Sequence, residues 1–394
     1  MISFIEAQQL ITSLARSFGT EEIALADADC RVLAEDIYAD RDYPPFNRAA
    51  MDGYAINTND WEAGLRNYTV QQVIFAGERA NAELSNGTCY KIMTGAPVPL
   101  TANAVIRRED VEQAGDTVNF QIEAVRPFQS ISRKGEDMRQ GDLILPKGTQ
   151  CSFAAISILA SLGKGTVKVE CLPKVALFTT GNELVAVGKP VGDTQIRNSN
   201  QYLLKSLLKK WLTKPVICQH IIDDKEQLKS ALAKALSCDI IITCGGVSAG
   251  DADYLPEVLA DLGVRKLFHK VAIKPGKPIW CGQIPAGGMV FALPGNPVSC
   301  MVTFKLFIES YLSTCLGLGA PKTLTLPFRG TRAHSANLDE FFPVTVSGEP
   351  AVIQQLPINS SGDIRLGLNA DAFAHHPVDV AELVDGTLVS CYLL

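Results

Sequence analysis

A chain of 394 residues exceeds what one hydrophobic core usually supports, so two or three compact parts are expected. Hydrophobic residues make up 47% and charged residues 20%, which supplies ample core and excludes a disordered chain. The formal net charge of −6 excludes any general attraction to nucleic acid or anionic lipid, so an anionic ligand must be held locally, by backbone N–H groups, helix N-termini and a few placed lysines.

From Met1 to Phe18 polar residues recur every few positions, well short of the ~20 apolar residues of a membrane span, and a cytoplasmic protein is expected. Ser3 and Glu6 have capping-box spacing, and Phe4, Ala7, Leu10, Ile11 and Leu14 then share one helical face. A second short helix is predicted through Arg31, Val32, Leu33 and Ala34. Residues 43–142 change texture to short β-like runs, among them Tyr68 to Phe75, Ala104 to Arg107 and Val118 to Val125, divided by Gly and Asn turns. Helical periodicity returns over 143–173 through Phe153, Ile156, Ile158 and Leu159. A β-rich module inserted into a helical first domain, 1–42 plus 143–173, is therefore predicted.

Over 174–318 strand-like and helical segments alternate: Val175 to Phe178, a helix through Tyr202 to Trp211, Val216 to Ile221, a helix through Leu228 to Leu236, then Ile240 to Ile242. That order predicts a parallel sheet with right-handed crossovers and ligands at the C-terminal strand ends. From 319 to 394 the pattern is again β-like, through Thr323 to Phe328, Phe341 to Val346, Ala351 to Leu356 and Thr387 to Leu393. The 11 cysteines are scattered, with no Cys-x-x-Cys pair, and are expected to be reduced.

Several loops carry chemistry. After Ile242 comes Thr243-Cys244-Gly245-Gly246-Val247-Ser248, whose glycines let backbone N–H groups approach a phosphate while Ser248 adds a hydroxyl. Asp251 and Asp253 follow, suited either to a divalent cation beside that anion or to capping the next helix. Leu293-Pro294-Gly295-Asn296-Pro297-Val298-Ser299 is a second anion cradle or a well-capped helix start. Between the two, alternation places Lys270 and Lys274 on one face of a strand, and a Pro-Gly turn presents Lys277 and Pro278, so that three ammonium groups could converge. Glu183 and Asp223 fall near strand ends of the same domain, and Asp52 and Thr94 sit in tight turns of the β module among small apolar residues.

AMDGYA, IMTGAPVP, GED, TTGNEL, GGVSAGD, IKPGKP and LPGNPVS, in this order from Ala50 to Ser299, resemble the signature set of the MoeA and gephyrin E-domain family of molybdopterin molybdenumtransferases. The resemblance implies a multidomain α/β and β protein. Its central three-layer α/β sheet domain is of molybdopterin-binding type (174–318), with the inserted β-rich module (43–142), the helical N-terminal domain and a small C-terminal β-barrel-like domain (319–394). It also implies a homodimer whose active sites lie between the sheet domain of one subunit and the β module of the other. The implied reaction takes adenylylated molybdopterin and molybdate, with Mg²⁺, to molybdenum cofactor and AMP; the adenylyltransferase and recipient molybdoenzymes are implied protein partners.

By motif match, Lys274, Lys277 and Ser299 would line the molybdate and phosphate pocket, Ser248 and Asp253 would bind the nucleotide end, and Gly245, Gly246, Pro278, Gly295 and Asn296 are further cofactor-binding positions. Asp52, Thr94, Glu183, Asp223, Lys270 and Lys274 match catalytic positions, and Asp52, Asp251 and Asp253 are the implied metal ligands. Two stretches depart from the family. Asn47-Arg48-Ala49 stands where an Asp-Asn-Ser run is usual, and Glu340-Phe341-Phe342-Pro343-Val344 lacks the arginine commonly offered to the oxyanion, with Arg365 as the candidate substitute and Ser360 or Ser361 as the matching serine. An adenylyltransferase, whose loop reads GGTG where this chain has Gly245-Gly246-Val247-Ser248, and a degenerate paralogue serving as a protein scaffold are the alternative readings.

Overall fold

A computed structural model of the chain describes residues 1–247, 254–365 and 368–394. Ser248, Asp251 and Asp253 lie outside the described residues. The chain divides into two compact units, one formed by 1–23, 27–34 and 168–394, the other by 24–26 and 35–167.

The larger unit is built on a mixed six-stranded sheet ordered Ile217–Ile221, Val175–Thr180, Ile240–Cys244, Met289–Leu293, Trp280–Gln283, Arg265–His269. Strand alternation sends Val175, Leu177, Ile240, Ile242, Met289 and Phe291 into one apolar layer and Ala176, Phe178, Ile241, Val290 and Ala292 into the other. Helices Phe4–Ser13, Ser199–Lys210 and the run from Pro297 to Cys315 contribute to the first layer, and Lys225–Ala235 and Leu255–Asp261 to the second, which makes the predicted three-layer arrangement. The sheet is expected from the sequence to be parallel throughout, and the structure corrects this to a mixed sheet. Trp280–Gln283 and Arg265–His269 pair antiparallel at one side. Only residues 284–288 separate Gln283 from Met289, far too few for a crossover, so that strand must return beside its neighbour.

In the C-terminal part, Asp339–Ser347, Val352–Gln355, Thr323–Arg329, Leu388–Leu393 and Ala372–His376 pair in sequence, and Ala372–His376 pairs back onto Asp339–Ser347. The sheet therefore closes into a barrel with no free edge among these strands. A two-residue strand, Ile273–Lys274, adds to its outside in parallel, with Ile273 opposite Asp339 and Lys274 opposite Glu340.

Phe4 joins barrel and sheet layers in one core. Its ring lies 5.0 Å from Phe341, 6.0 Å from Phe307 and 6.4 Å from Tyr392. The capping box that starts its helix is complete: Glu6 N–H donates to Ser3 Oγ at 3.2 Å, and Ser3 N–H donates to Glu6 Oε2 at 2.8 Å.

The N-terminal region carries more β-structure than the predicted helical domain. Arg31 to Ala34 form no helix; Leu33 bridges antiparallel to Val169, Ala34 N–H donates to Lys168 O at 2.9 Å, and Glu170 N–H donates to Val32 O at 2.8 Å. Four residues close at most one helical hydrogen bond against the cost of nucleation, whereas strand pairing satisfies these groups while burying Val32 and Leu33.

The second unit holds another six-stranded sheet, ordered Ala104–Arg107, Gly53–Ile56, Thr88–Ile92, Asn67–Ile74, Thr117–Phe120, Val111–Ala114. Tyr54 and Ile56 pack on one side with Trp61 and Phe120, and Ala55 on the other with Tyr90 and Ile92. Gly53 is required: a Cβ there would lie 2.0 Å from Ile106 O. None of the 11 cysteines forms a disulfide, and among the described residues no helix is long and apolar enough to cross a membrane.

Candidate functional site

Three parallel neighbours of the larger sheet, Val175–Thr180, Ile240–Cys244 and Met289–Leu293, end side by side, with Cys244 in register with Thr179 and with Leu293. The loops that follow them therefore start at one edge, the usual ligand position of an open α/β sheet. Gly245 N–H donates to Leu293 O at 3.0 Å. Gly245 and Gly246 have φ of +99° and +68°, and a Cβ on Gly245 would fall 2.6 Å from Thr180 O. Asn200 Nδ2, from the adjacent helix, donates to Gly295 O at 2.6 Å and ties the second glycine loop to the same edge. The two glycine loops predicted as anion cradles are thus brought together.

Glu183 and Asp223 each follow the end of one of two neighbouring strands, Val175–Thr180 and Ile217–Ile221. Asp223 Oδ2 accepts from Asn182 N–H at 3.2 Å, and Asp223 N–H donates to Asn182 Oδ1 at 3.1 Å. The Glu183 carboxylate folds back over Gly181, where a Cβ would meet Oε2 at 2.5 Å. Capping of the next helix falls to Asp224, which accepts from Gln227 N–H at 2.7 Å, so Asp223 is not used for that purpose.

Where the sheet layers meet the barrel within the same unit, a cleft of about 540 Å³ opens, a size suited to a small-molecule ligand. Lys274, Lys277 and Pro278 line it together with Asn296 and Ser299, five of the residues expected to bind the cofactor. Ser360 and Ser361 complete that wall; Asn296 Nδ2 donates to Ser361 Oγ at 2.8 Å, and Val298 N–H donates to Ser361 O at 3.2 Å. Gly276 sits at the turn between the two lysines with φ of +105°, and a Cβ on it would lie 2.6 Å from Thr303 Cγ2.

Lys270 does not join them. The strand ends at His269, and Lys270 adopts φ of +69°, which turns the backbone so that alternation is broken before Lys274. The expected convergence of three ammonium groups is corrected to two, because Lys270 is absent from the cleft lining.

The third cation is one that sequence reasoning missed. Arg332 lines the cleft, its Nη2 donates to Glu340 Oε2 at 2.5 Å, and its guanidinium lies 4.3 Å from the Phe342 ring centre. Glu340 Oε1 is 3.5 Å from Lys274 Nζ, which donates to Ser335 Oγ at 2.6 Å; Ser335 also bonds to Glu340. Glu340 is only 1% exposed. Burial pushes its carboxyl up, but the Ser335 hydroxyl and the charges of Arg332 and Lys274 outweigh this and hold it below the ordinary value. Three cations face one carboxylate among the lining residues, so the cleft favours an anion. Arg365, the expected substitute arginine, instead stands exposed, 3.7 Å from Asp363 Oδ1. No local pattern marks Arg332; only barrel closure brings it beside Glu340.

In the second unit Asp52 and Thr94 meet. Asp52 Oδ1 accepts from Thr94 Oγ1 at 2.6 Å and from Thr94 N–H at 2.7 Å. The hydroxyl first, then the N–H, hold this exposed carboxyl below its ordinary value, so it is ionised at neutral pH. An anionic oxygen donor of this kind suits a hard cation such as Mg²⁺.

Comparison with known proteins gives one answer along the chain. Residues 2–163 match the family described as MoeA N-terminal region (domain I and II), and residues 176–314 match the probable molybdopterin binding domain family. A molybdopterin molybdenumtransferase of Synechocystis sp. is 32% identical over 398 residues, covering 100% of both chains. One from Haemophilus influenzae is 38% identical over 300 residues, 76% of this chain and 73% of that one. The crystal structure of a molybdopterin biosynthesis MoeA protein from Pyrococcus horikoshii OT3 superposes over 100% of both chains with a TM-score of 0.86 at 30% identity.

Proposed function

Since the chain belongs to the MoeA family of molybdopterin molybdenumtransferases, enzymes of molybdenum cofactor biosynthesis, we propose that it inserts molybdate into adenylylated molybdopterin with Mg²⁺-dependent release of AMP. The observation that carries this reading is the cleft in which Lys274, Lys277, Arg332 and Ser299 converge on one space at the edge that bears the glycine loops. Molybdate and the substrate's pyrophosphate are both oxyanions, and the reaction builds negative charge on phosphoryl oxygens that fixed cations and N–H groups stabilise.

In this reading Lys274 and Lys277 bind molybdate, Ser299 donates a hydroxyl to it, and Arg332 with Glu340 fixes the wall against which it sits. Gly245 shapes the turn and Gly246 presents its N–H group to the nucleotide end, joined by Ser248 and Asp253. Glu183 and Asp223 orient the reacting groups at the strand ends. Asp52, aligned by Thr94, would hold Mg²⁺ with Asp251 and Asp253, an assignment that the ionised state of Asp52 supports. When bound, that ion supplies neutralisation of charge on the phosphoryl oxygens. The proposal includes the cytoplasmic homodimer in which Asp52 serves the partner's cleft, and the four-part domain division given above.

The test is direct. The purified chain is incubated with adenylylated molybdopterin, molybdate and Mg²⁺, and AMP and molybdenum cofactor are quantified. Stoichiometric release of both supports the reading. Formation of adenylylated product from molybdopterin and ATP would assign the preceding step instead, and absence of both products would leave a scaffold.

A further inference from the structure

Barrel closure creates a second constellation, which shares Glu340 with the cleft and adds two histidines that the proposed reaction does not use. His334, Glu340 and His376 each bring one ligand atom to within 4.8 Å of the others. Glu340 and His376 are register partners across adjacent antiparallel strands, and His334 follows the short strand Arg332–Ala333. The two imidazoles meet edge to face with centroids 4.6 Å apart.

The state of the two His376 nitrogens follows from their neighbours. His376 Nε2 is 2.8 Å from Val380 O, and a carbonyl only accepts, so Nε2 carries the proton and Nδ1 is a bare lone pair. That Nδ1 is buried with no hydrogen-bond partner among the described residues, and so is His334 Nε2. His376 is 0% exposed, and burial holds its ring below the ordinary value, which favours the neutral form that ligates metals. The neighbouring Arg332 further disfavours a proton on His376. Two unpartnered imidazole nitrogens therefore lie beside an ionised, buried carboxylate.

We infer that His334, Glu340 and His376 form a binding site for one divalent ion of the zinc class. Two nitrogens and one carboxylate suit Zn²⁺, Co²⁺ or Ni²⁺, and not Mg²⁺, which prefers oxygen donors. Ligand atoms bound at about 2.0–2.2 Å in a tetrahedron lie roughly 3.3–3.5 Å apart, so shifts of about an ångström close the set. Val380 O orients His376, and Ser335 and Arg332 hydrogen-bond Glu340, the outer-shell support that ligating side chains commonly have. Three protein ligands leave a fourth position open, and Glu340 is common to this site and the cleft. The positive charges of Arg332 and Lys274 make the site weaker than one without nearby cations.

The test uses the full chain without an affinity tag, stripped of metal. Co²⁺ titration followed by its visible ligand-field bands, with Zn²⁺ competition, is expected to show one tetrahedral ion per chain, unaffected by excess Mg²⁺. His334→Ala and His376→Gln should each weaken binding at least tenfold. His334 is the less buried of the two, so His334→Ala keeps the test valid if His376→Gln does not fold; near-ultraviolet circular dichroism checks both. No ion bound by the unaltered chain, or equal affinity in folded His334→Ala, overturns the site. Neither readout depends on molybdenum insertion.

Discussion

Lys274 and Glu340 stand opposite each other in a parallel strand pairing although 66 residues separate them in the chain. The Nζ lies 3.5 Å from Glu340 Oε1, yet the lysine side chain is 52% exposed, so one end is anchored while the ammonium faces the cleft. Lys274→Met should fold normally, because Glu340 keeps Arg332 and Ser335. Molybdate affinity, measured by calorimetry, should fall by on the order of 10–10²-fold, the loss of one charge-assisted contact. Unchanged affinity would remove Lys274 from the oxyanion site.

Glu340 itself is a stability determinant. Its carboxyl is held below the ordinary value of 4.5, so its contribution is fully present above that value and is lost as pH falls through the folded value. Replacing one partner of a buried pair costs about 3–5 kcal/mol. Glu340→Gln should therefore unfold at a lower urea concentration at pH 7, and its deficit against the unaltered protein should shrink as the solution is acidified below 4.5. Urea midpoints of both proteins across that range decide it; a deficit independent of pH would assign the loss to packing instead.

Much of this was legible in the chain. The capping box, the alternation of strands and helices and the glycine loops are local patterns, and local hydrogen bonding and strand period express them directly. Arg332, by contrast, was invisible because its partner arrives only when Asp339–Ser347 is paired around a closed barrel. Lys270 misled for the opposite reason: alternation assumes an extended backbone, and one residue at φ of +69° cancels it. The strand Ala372–His376 was overlooked, and with it the approach of His376 to His334, because its pairing partners are distant in sequence.

Gly245 is held by two separate constraints. Its φ of +99° is poorly tolerated by other residues, and a Cβ would strike Thr180 O at 2.6 Å, which is backbone and cannot swing away. Gly188 has φ of +86° with nothing among the described residues within 4 Å of such a Cβ. Gly188→Ala should therefore lose only the left-handed penalty of roughly 1–2 kcal/mol. Gly245→Ala should lose that plus about 1–3 kcal/mol of overpacking. Denaturant unfolding of the two variants side by side tests the difference, and equal losses would mean that the loop after Ile240–Cys244 relaxes around the methyl group.

The carboxylate of Asp52 receives two bonds from Thr94 on the same oxygen, at 2.6 and 2.7 Å, and is exposed. Such a group contributes little to folding, so Asp52→Ala should leave the urea midpoint and the oligomeric state unchanged while AMP release falls by on the order of 10²–10³-fold. Thr94→Val removes the hydroxyl, which is the largest influence holding the carboxyl down, so the carboxyl should titrate at a higher pH. If the ionised form is required, activity in Thr94→Val should fail at a higher pH on acidification than in the unaltered enzyme. A pH–rate profile through the acid limb reads this shift. Superimposable limbs, together with full activity in Asp52→Ala, would show that the Asp52–Thr94 pair shapes its turn and takes no part in the reaction.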